Sequence, residues 1–448
     1  MATWRLRGLI LLLLFVLVGC TALPFQLGSR TPLVSPVPQA GTSPAPQMTQ
    51  ATVETSAPLT PQATVSATQP VAGNLVRIWL PPGFDPDGDT PASQLLRDHL
   101  DVFVALHPDV RLEVRVKAVD GPGGLLDALV AANAAAPLTL PDLVLLPRPL
   151  LESAALKGLL FPYDHLTSLV DDNGWFEYAH QLAQLKTSTY GMPFAADALV
   201  LVYHPSQLPT VPTDLESLLA LGKVLLFPAT DEQALLTLST YLADGKSLED
   251  AQGRPSLDEG ALTRILEFDQ RAGLAGVMPY WLTQYSNDAQ IWDAFSGGEY
   301  TMAATWVSAY LEHKLTAPED LAMAPLPTLD GAPYNLVTGW SWALAGQDAA
   351  RRATSVQLAE FMVEKDFLAK WSEAAGYMPP RIDALQSWQQ AEQRQMTEQI
   401  SYSAWLMPPA DMISSLGPAL EQAVVDVLKS QSDPQSAAHK VIEQMNQP

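Results

Sequence analysis

Apolar and polar positions along this chain follow two periods. Leu75-Val76-Arg77-Ile78-Trp79-Leu80 is a short apolar run, and it predicts a strand. From Ser93 to Leu106 the apolar positions are Leu95, Leu96, Leu100, Val102, Phe103 and Leu106, at helical spacing. Arg111 to Lys117 alternates strictly, with Leu112, Val114 and Val116 on one side, as a half-buried strand does. Helical patterns follow at 123–135 and 150–160, on either side of the apolar run Leu143–Leu146, which reads as a central parallel strand. The order βαβαβα predicts an α/β sheet with helices on both faces.

The alternation then restarts. Strands are predicted at 199–203, 223–227 and 300–304, and helices at 214–221, 232–242, 259–271 and 288–295. After Gly339 the pattern is mostly helical: 349–363, 367–375, 384–400, 412–430 and 435–445. No repeat of solenoid type is present. The expected architecture is two α/β lobes with a helical final third.

The first 73 residues have a different texture. Arg5 and Arg7 precede a nearly unbroken apolar stretch, Leu9–Val18, which ends at Gly19-Cys20. The stretch is too short to span a membrane and no cationic stop follows, so it reads as a secretory signal. Residues 21–73 contain only two charged side chains, Arg30 and Glu54, among many Pro, Thr, Ser, Ala and Gln. Such a composition buries too little apolar surface to fold. It reads as a tether with a reach of roughly 40 Å. A folded body is expected over 74–448.

Composition narrows the chemistry. The 448 residues include 25 Lys and Arg against 48 Asp and Glu, a formal net charge of −23. That balance opposes a nucleic-acid partner, because phosphate binding needs clustered cations. One cysteine excludes an internal disulfide framework and any Cys-cluster metal site. The seven histidines are scattered and give no close metal-binding pair. No G-x-S-x-G, HExxH or Walker motif is present.

A set of short motifs, in order, carries a resemblance. They are His107-Pro108-Asp109-Val110, Pro141-Asp142-Leu143-Val144, Gly158-Leu159-Leu160-Phe161-Pro162-Tyr163, and Tyr190-Gly191-Met192-Pro193-Phe194-Ala195-Ala196-Asp197-Ala198-Leu199, which runs on to Tyr203-His204-Pro205. Gly298-Glu299-Tyr300-Thr301-Met302, Ala324-Pro325-Leu326-Pro327, Gly339-Trp340-Ser341-Trp342-Ala343 and Gly376-Tyr377-Met378-Pro379 follow. The body resembles the family 1 extracellular solute-binding proteins of ABC importers, the group that includes maltose-binding proteins. Leu17-Val18-Gly19-Cys20 resembles the bacterial lipobox, which implies that Cys20 carries lipid as the mature N-terminus.

The resemblance implies a two-lobed periplasmic-binding-protein-like fold of type II. Three chain crossings are expected near Ala195–Ala198, Val337–Gly339 and Tyr377–Arg381. One lobe would comprise about 75–196 and 339–377, the other about 197–337 and 378–448. A solute, a sugar or oligosaccharide by family analogy, would bind between the lobes and pass to ABC permease subunits at the membrane. The protein would act as a monomer on the extracytoplasmic face, without a cofactor and without covalent chemistry. A surface sensor or adhesion protein on the same fold is an alternative, as is a secreted carbohydrate-active enzyme.

Sugars present apolar C–H faces that pack on aromatic rings, and hydroxyls that need polar partners. Six residues become candidate contacts. Trp79 and Arg148 lie at the carboxyl ends of the first and third strands, where ligands of α/β sheets gather. Asp197 lies in the first crossing, and Trp306 follows the 300–304 strand. Trp340 and Tyr377 adjoin the second and third crossings. Each has a plainer reading: Trp79 as a core ring, Arg148 as a helix-capping surface cation, Asp197 as a turn former. Tyr280, Trp281 and Tyr285 form a further aromatic group that suits packing or a second subsite. The loop carrying Asp87 and Asp89 lacks the full EF-hand spacing and reads as solvated. His204 stands where the family pattern has Asn, and Leu145-Leu146 where an aromatic and an acid are expected, so contacts typical of maltose binders are missing.

Overall fold

The computed structural model describes residues 74–314 and 320–445. The signal, Cys20 and the tether lie outside the described residues. Residues 69–448 cluster as one unit by their contacts. Among the described residues there are eleven strands: β1 (Asn74–Leu80), β2 (Val110–Val116), β3 (Leu143–Pro147), β4 (Gln184–Leu185), β5 (Ser188–Thr189), β6 (Gly191–Tyr203), β7 (Leu225–Leu226), β8 (Met302–Trp306), β9 (Ala322–Ala324), β10 (Asn335–Leu344) and β11 (Ala404–Leu406). All but the β4–β5 hairpin join one sheet, in the order β2-β1-β3-β10-β6-β8-β7, with β11 against β10 and β9 against β6.

The first three strands are parallel, as their apolar runs predict. β10 is antiparallel to both β3 and β6, so the sheet is mixed. The sheet's two faces bury different sets of side chains. Trp79, Val144 and Leu146 pack with Leu125, Leu129 and Leu151 on one face. Ile78, Leu145 and Trp342 pack with Leu100, Phe103 and Trp371 on the other. Each such fully buried side chain contributes about 1.5–3 kcal/mol. The helix Pro91–Leu106 begins where Thr90 Oγ accepts the Ser93 N–H at 3.1 Å, a standard N-cap.

Two long strands give the molecule its two lobes. The first part of β6 pairs with β10, and its end pairs with β8 and β9. β10 likewise pairs with β3 beyond Gly339 and with β11 before Thr338. The two strands lie side by side through Ala196↔Gly339, Asp197↔Thr338 and Ala198↔Val337. The third segment joins them through two backbone hydrogen bonds between Ala196 and Met378, both 2.9 Å. The expected crossings are therefore adjacent in space. Gly339 permits this: a Cβ there would stand 2.3 Å from the Ala195 carbonyl oxygen.

Several elements differ from expectation. The 199–203 strand is the final part of a 13-residue strand, because Met192–Ala196 are also buried in the sheet. The 300–304 strand runs from Met302 to Trp306, so Trp306 ends the strand rather than following it. The 223–227 strand shortens to Leu225–Leu226. The expected helix 384–400 is two helices, Ile382–Leu385 and Ala391–Tyr402. Trp388 turns into the core between them, its indole N–H on Ser372 Oγ at 3.2 Å, while Arg394 holds the Trp388 carbonyl. Strand β10 and the helix Val307–Lys314 are additions.

Candidate functional site

Two neighbouring constellations surround the crossings. The first is a cleft of about 420 Å³. Arg148, Pro149 and Glu152 enter it from the helix that follows β3, Glu232 and Gln233 from the turn after β7, and Met407, Pro408, Ala410, Ile413, Ser414 and Pro418 from the segment after β11. Thr338 of the second crossing completes the lining. The carboxyl ends of three strands thus converge on one cleft between the lobes, the place where α/β sheets hold ligands. Gly417 lets the 410–428 helix press against the Glu232 turn; a Cβ there would stand 2.2 Å from the Glu232 carbonyl oxygen.

Arg148 is the charged anchor of this cleft. Its Nε donates to Glu152 Oε1 at 2.7 Å. Its Nη1 donates to the carbonyls of Gln181, Leu182 and Gln184 at 2.7–2.8 Å. These carbonyls belong to the end of the helix Glu177–Ala183 and the residue after it, groups that lack partners within the helix. The side chain is only 10% exposed. The surface-cation reading is thereby corrected: Arg148 is a buried clamp. Its Nη2 has no acceptor among the described residues, which leaves two N–H donors for a ligand.

The second constellation gathers Asp197, Trp340 and Tyr377. The Phe84 ring lies 4.9 Å from the Trp340 ring and 5.6 Å from the Tyr377 ring, centroid to centroid. Trp371 backs the group, 5.6 Å from Phe84 and 6.2 Å from Tyr377. Trp340 and Tyr377 remain half-buried, whereas Phe84 and Trp371 are buried. Burial raises the pKa of the Tyr377 phenol, and the charges of Asp197 and Glu312 add to it, so the hydroxyl stays neutral and can donate. The Asp197 carboxylate accepts the Ser308 N–H at 2.9 Å and the Ser308 hydroxyl. Burial pushes its pKa up to about 7 against those hydrogen bonds, with Asp288 adding repulsion.

The remaining candidates are placed differently. Trp79 is 3% exposed and packs among Leu125, Leu129, Val144 and Leu146, with Lys117 Nζ 4.4 Å from its ring centroid. It is a core ring, because its side chain points into the layer beneath the first lobe's helices. Trp306 is half-buried, and its indole N–H is committed to Asp288 Oδ2 at 2.9 Å. Trp281 packs against Tyr285 and Tyr300, and neither Trp281 nor Tyr285 lines the cleft. In the Pro81–Asp89 loop, Arg97 donates to the carbonyls of Pro86 and Gly88. Among the described residues no group of three or more His, Cys, Asp or Glu side chains is arranged to hold a metal ion.

Sequence reasoning missed Phe84, Glu152, Glu232, Gln233 and Met407. Phe84 carried a signal, as the single large apolar residue in an otherwise polar loop. The others carry none without the lobes' relative placement.

Two lobes, three adjacent crossings and a cleft of mixed polar and apolar lining between strand ends define a protein that captures a small solute between its lobes. The chain belongs to the family of bacterial extracellular solute-binding proteins, whose model matches residues 102–398. Its place is accordingly extracytoplasmic. Solved structures of the same fold include the sugar-binding protein of the phytopathogen Xanthomonas citri, with a TM-score of 0.69 at 17% identity, covering 83% of this chain and 96% of that one. A cyclo/maltodextrin-binding protein complexed with maltotetraose matches with a TM-score of 0.68 at 18% identity, over 83% of this chain and 96% of that one. The cyclic α-maltosyl-1,6-maltose binding protein of Arthrobacter globiformis matches with a TM-score of 0.66 at 18% identity, over 84% and 98%. No curated protein matches.

Proposed function

We propose that this protein captures a sugar or oligosaccharide between its lobes and delivers it to an ABC permease, acting as a binding protein and not as an enzyme. The cleft carries the reading. Arg148 Nη2 offers donors from the first lobe, and Glu232 and Gln233 offer acceptors from the second, around a floor that includes Thr338. A polyhydroxylated ligand needs both kinds of partner, since each buried hydroxyl left unpaired costs about 1–3 kcal/mol. The structural neighbours that bind maltotetraose, cyclic α-maltosyl-1,6-maltose and sugar point the same way. The described cleft lining holds no aromatic ring, so Pro149, Pro408, Met407 and Ile413 supply its apolar contact. Trp340, Tyr377 and Asp197 stand beside it as contacts for a ligand that reaches along the crossings.

Closure has a thermodynamic condition: the ligand must bind the closed form more tightly than the open one. Contacts from both lobes to a single solute meet it. We further propose that Cys20 bears the lipid that anchors the protein to the membrane, with residues 21–73 as the tether and the protein working as a monomer. The test of the solute is a thermal-shift screen of the purified protein with sugars, polyols, amino acids, peptides and polyamines. Sugars are expected to raise the melting temperature. A shift with cationic solutes alone would sink the sugar reading and make the acidic balance the explanation.

A further inference from the structure

The segment that enters the cleft at Met407 carries an exposed aromatic ring two residues earlier. Trp405 is 54% exposed at the centre of β11. Its indole lies over Tyr334, with ring centroids 5.8 Å apart and planes 9° from parallel. An exposed indole stacked on a second aromatic ring makes an apolar patch, which marks an interaction site more often than a singly exposed apolar side chain does.

The register shows which side of the sheet this pair occupies. β11 pairs with β10 in parallel, with Trp405 opposite Leu336 and Leu406 opposite Val337. The Met407 N–H continues the ladder by donating to the Val337 carbonyl at 2.8 Å. Side chains two apart on a strand share a face, as do directly paired residues. Tyr334, Leu336 and Thr338 therefore share one face with Trp405 and Met407. Thr338 and Met407 line the cleft. Leu336, between Tyr334 and Thr338, is fully buried, and the Trp405–Tyr334 pair lies on that face about 7 Å from Met407 along the strand.

We propose that the Trp405–Tyr334 pair is an outer subsite that stacks one ring of an oligosaccharide whose other end lies in the cleft. This rests on the sugar reading above and deepens it: the preferred solute is a chain of three or more residues rather than a monosaccharide or disaccharide. The cleft lining holds hydrogen-bonding groups and no aromatic ring, and the aromatic pair lies two residues along the strand from Met407. A parallel pair of rings gives the apolar C–H face of a pyranose a broad, rigid surface that loses little entropy on contact. The contact adds affinity only for a ligand long enough to span both places.

Calorimetric titration with di-, tri- and tetrasaccharides of the gluco, manno and xylo series tests this. In the unaltered protein the trisaccharide and tetrasaccharide of the accepted series bind more tightly than the disaccharide. Trp405→Ala lowers affinity for the longer sugars by about tenfold and leaves the disaccharide within about twofold. Trp405→Phe restores most of the length preference, which a general loss of folding would not allow. If sugars bind and Trp405→Ala changes all lengths equally, or none, the outer subsite is overturned while the sugar reading stands. If no sugar of any length binds the unaltered protein, both are overturned.

Discussion

Replacing Arg148 with methionine keeps the length of the apolar stem and removes the guanidinium. The structure sets the size of the effect. Four hydrogen bonds of 2.7–2.8 Å disappear, one to Glu152 and three to the carbonyls that close the 177–183 helix. The Glu152 side chain is only 9% exposed, so its carboxylate would be left without its cation. Breaking a buried pair by removing one partner costs about 3–5 kcal/mol, because the remaining charge is stranded. Arg148→Met is therefore expected to lose about 3–5 kcal/mol, a large part of the stability of an ordinary domain. Urea denaturation followed by circular dichroism and tryptophan fluorescence measures it, with the midpoint falling and the slope unchanged. The double variant Arg148→Met with Glu152→Gln should recover part of the loss, since no unpaired charge remains. A single variant within about 0.5 kcal/mol of the parent would refute the clamp and return Arg148 to a role in ligand contact alone.

Asp269 is 5% exposed and shares a cavity of about 30 Å³ with Thr237 and Thr240, and burial pushes its pKa up to about 7. Its folded pKa lies above the unfolded value near 4, so between these values the folded state holds the extra proton and stability falls as pH rises, by up to about 1.4 kcal/mol per pH unit. Asp269→Asn should flatten the denaturation profile between pH 5 and 7, and parallel profiles for variant and parent would exclude this linkage. Cells fed an alkyne-tagged fatty acid should label the protein and not its Cys20→Ala variant; an unlabelled parent would remove the proposed anchor.

The fold was legible where burial follows one period. Leu143–Leu146 reads as a central strand because β3 is covered on both faces. The Leu96–Leu100–Phe103 stripe reads as a helix because only that side meets the core. β10 escaped because its stretch, Asn335 to Leu344, mixes Gly, Thr, Ser and Trp, and its sheet position comes from distant partners. The site was legible in part. Motif order located the crossings and so brought Asp197, Trp340 and Tyr377 together. Trp79 failed as a ligand contact because strand-end position does not determine which face a ring takes. The lining of the cleft was hidden because its parts are separated by as much as 270 residues, from Arg148 to Pro418.

The crossings constrain how the cleft can open. β6 and β10 stay paired through the middle of the molecule, and Met378 adds a third strand-like partner to Ala196. Separating the lobes by breaking this ladder would strand backbone groups that need partners. Opening must instead twist the paired segments, a change spread over small residues such as Ala195, Ala196, Ala198 and Gly339. On the lobe division proposed from the crossings, a twist of that kind moves Arg148 and Pro149 away from Glu232 and Gln233 while the four hydrogen bonds of the Arg148 clamp stay intact. The ligand's task is then defined. To take a mostly open population to a mostly closed one, from 1:99 to 99:1, it must favour the closed form by about 5.5 kcal/mol. Hydrogen bonds to charged groups contribute about 1.5–3 kcal/mol each. Two bonds to the Glu232 carboxylate, with one to the neutral Gln233 amide at about 0.5–1.5 kcal/mol, sum to about 3.5–7.5 kcal/mol when made only in the closed form, a range that brackets the difference.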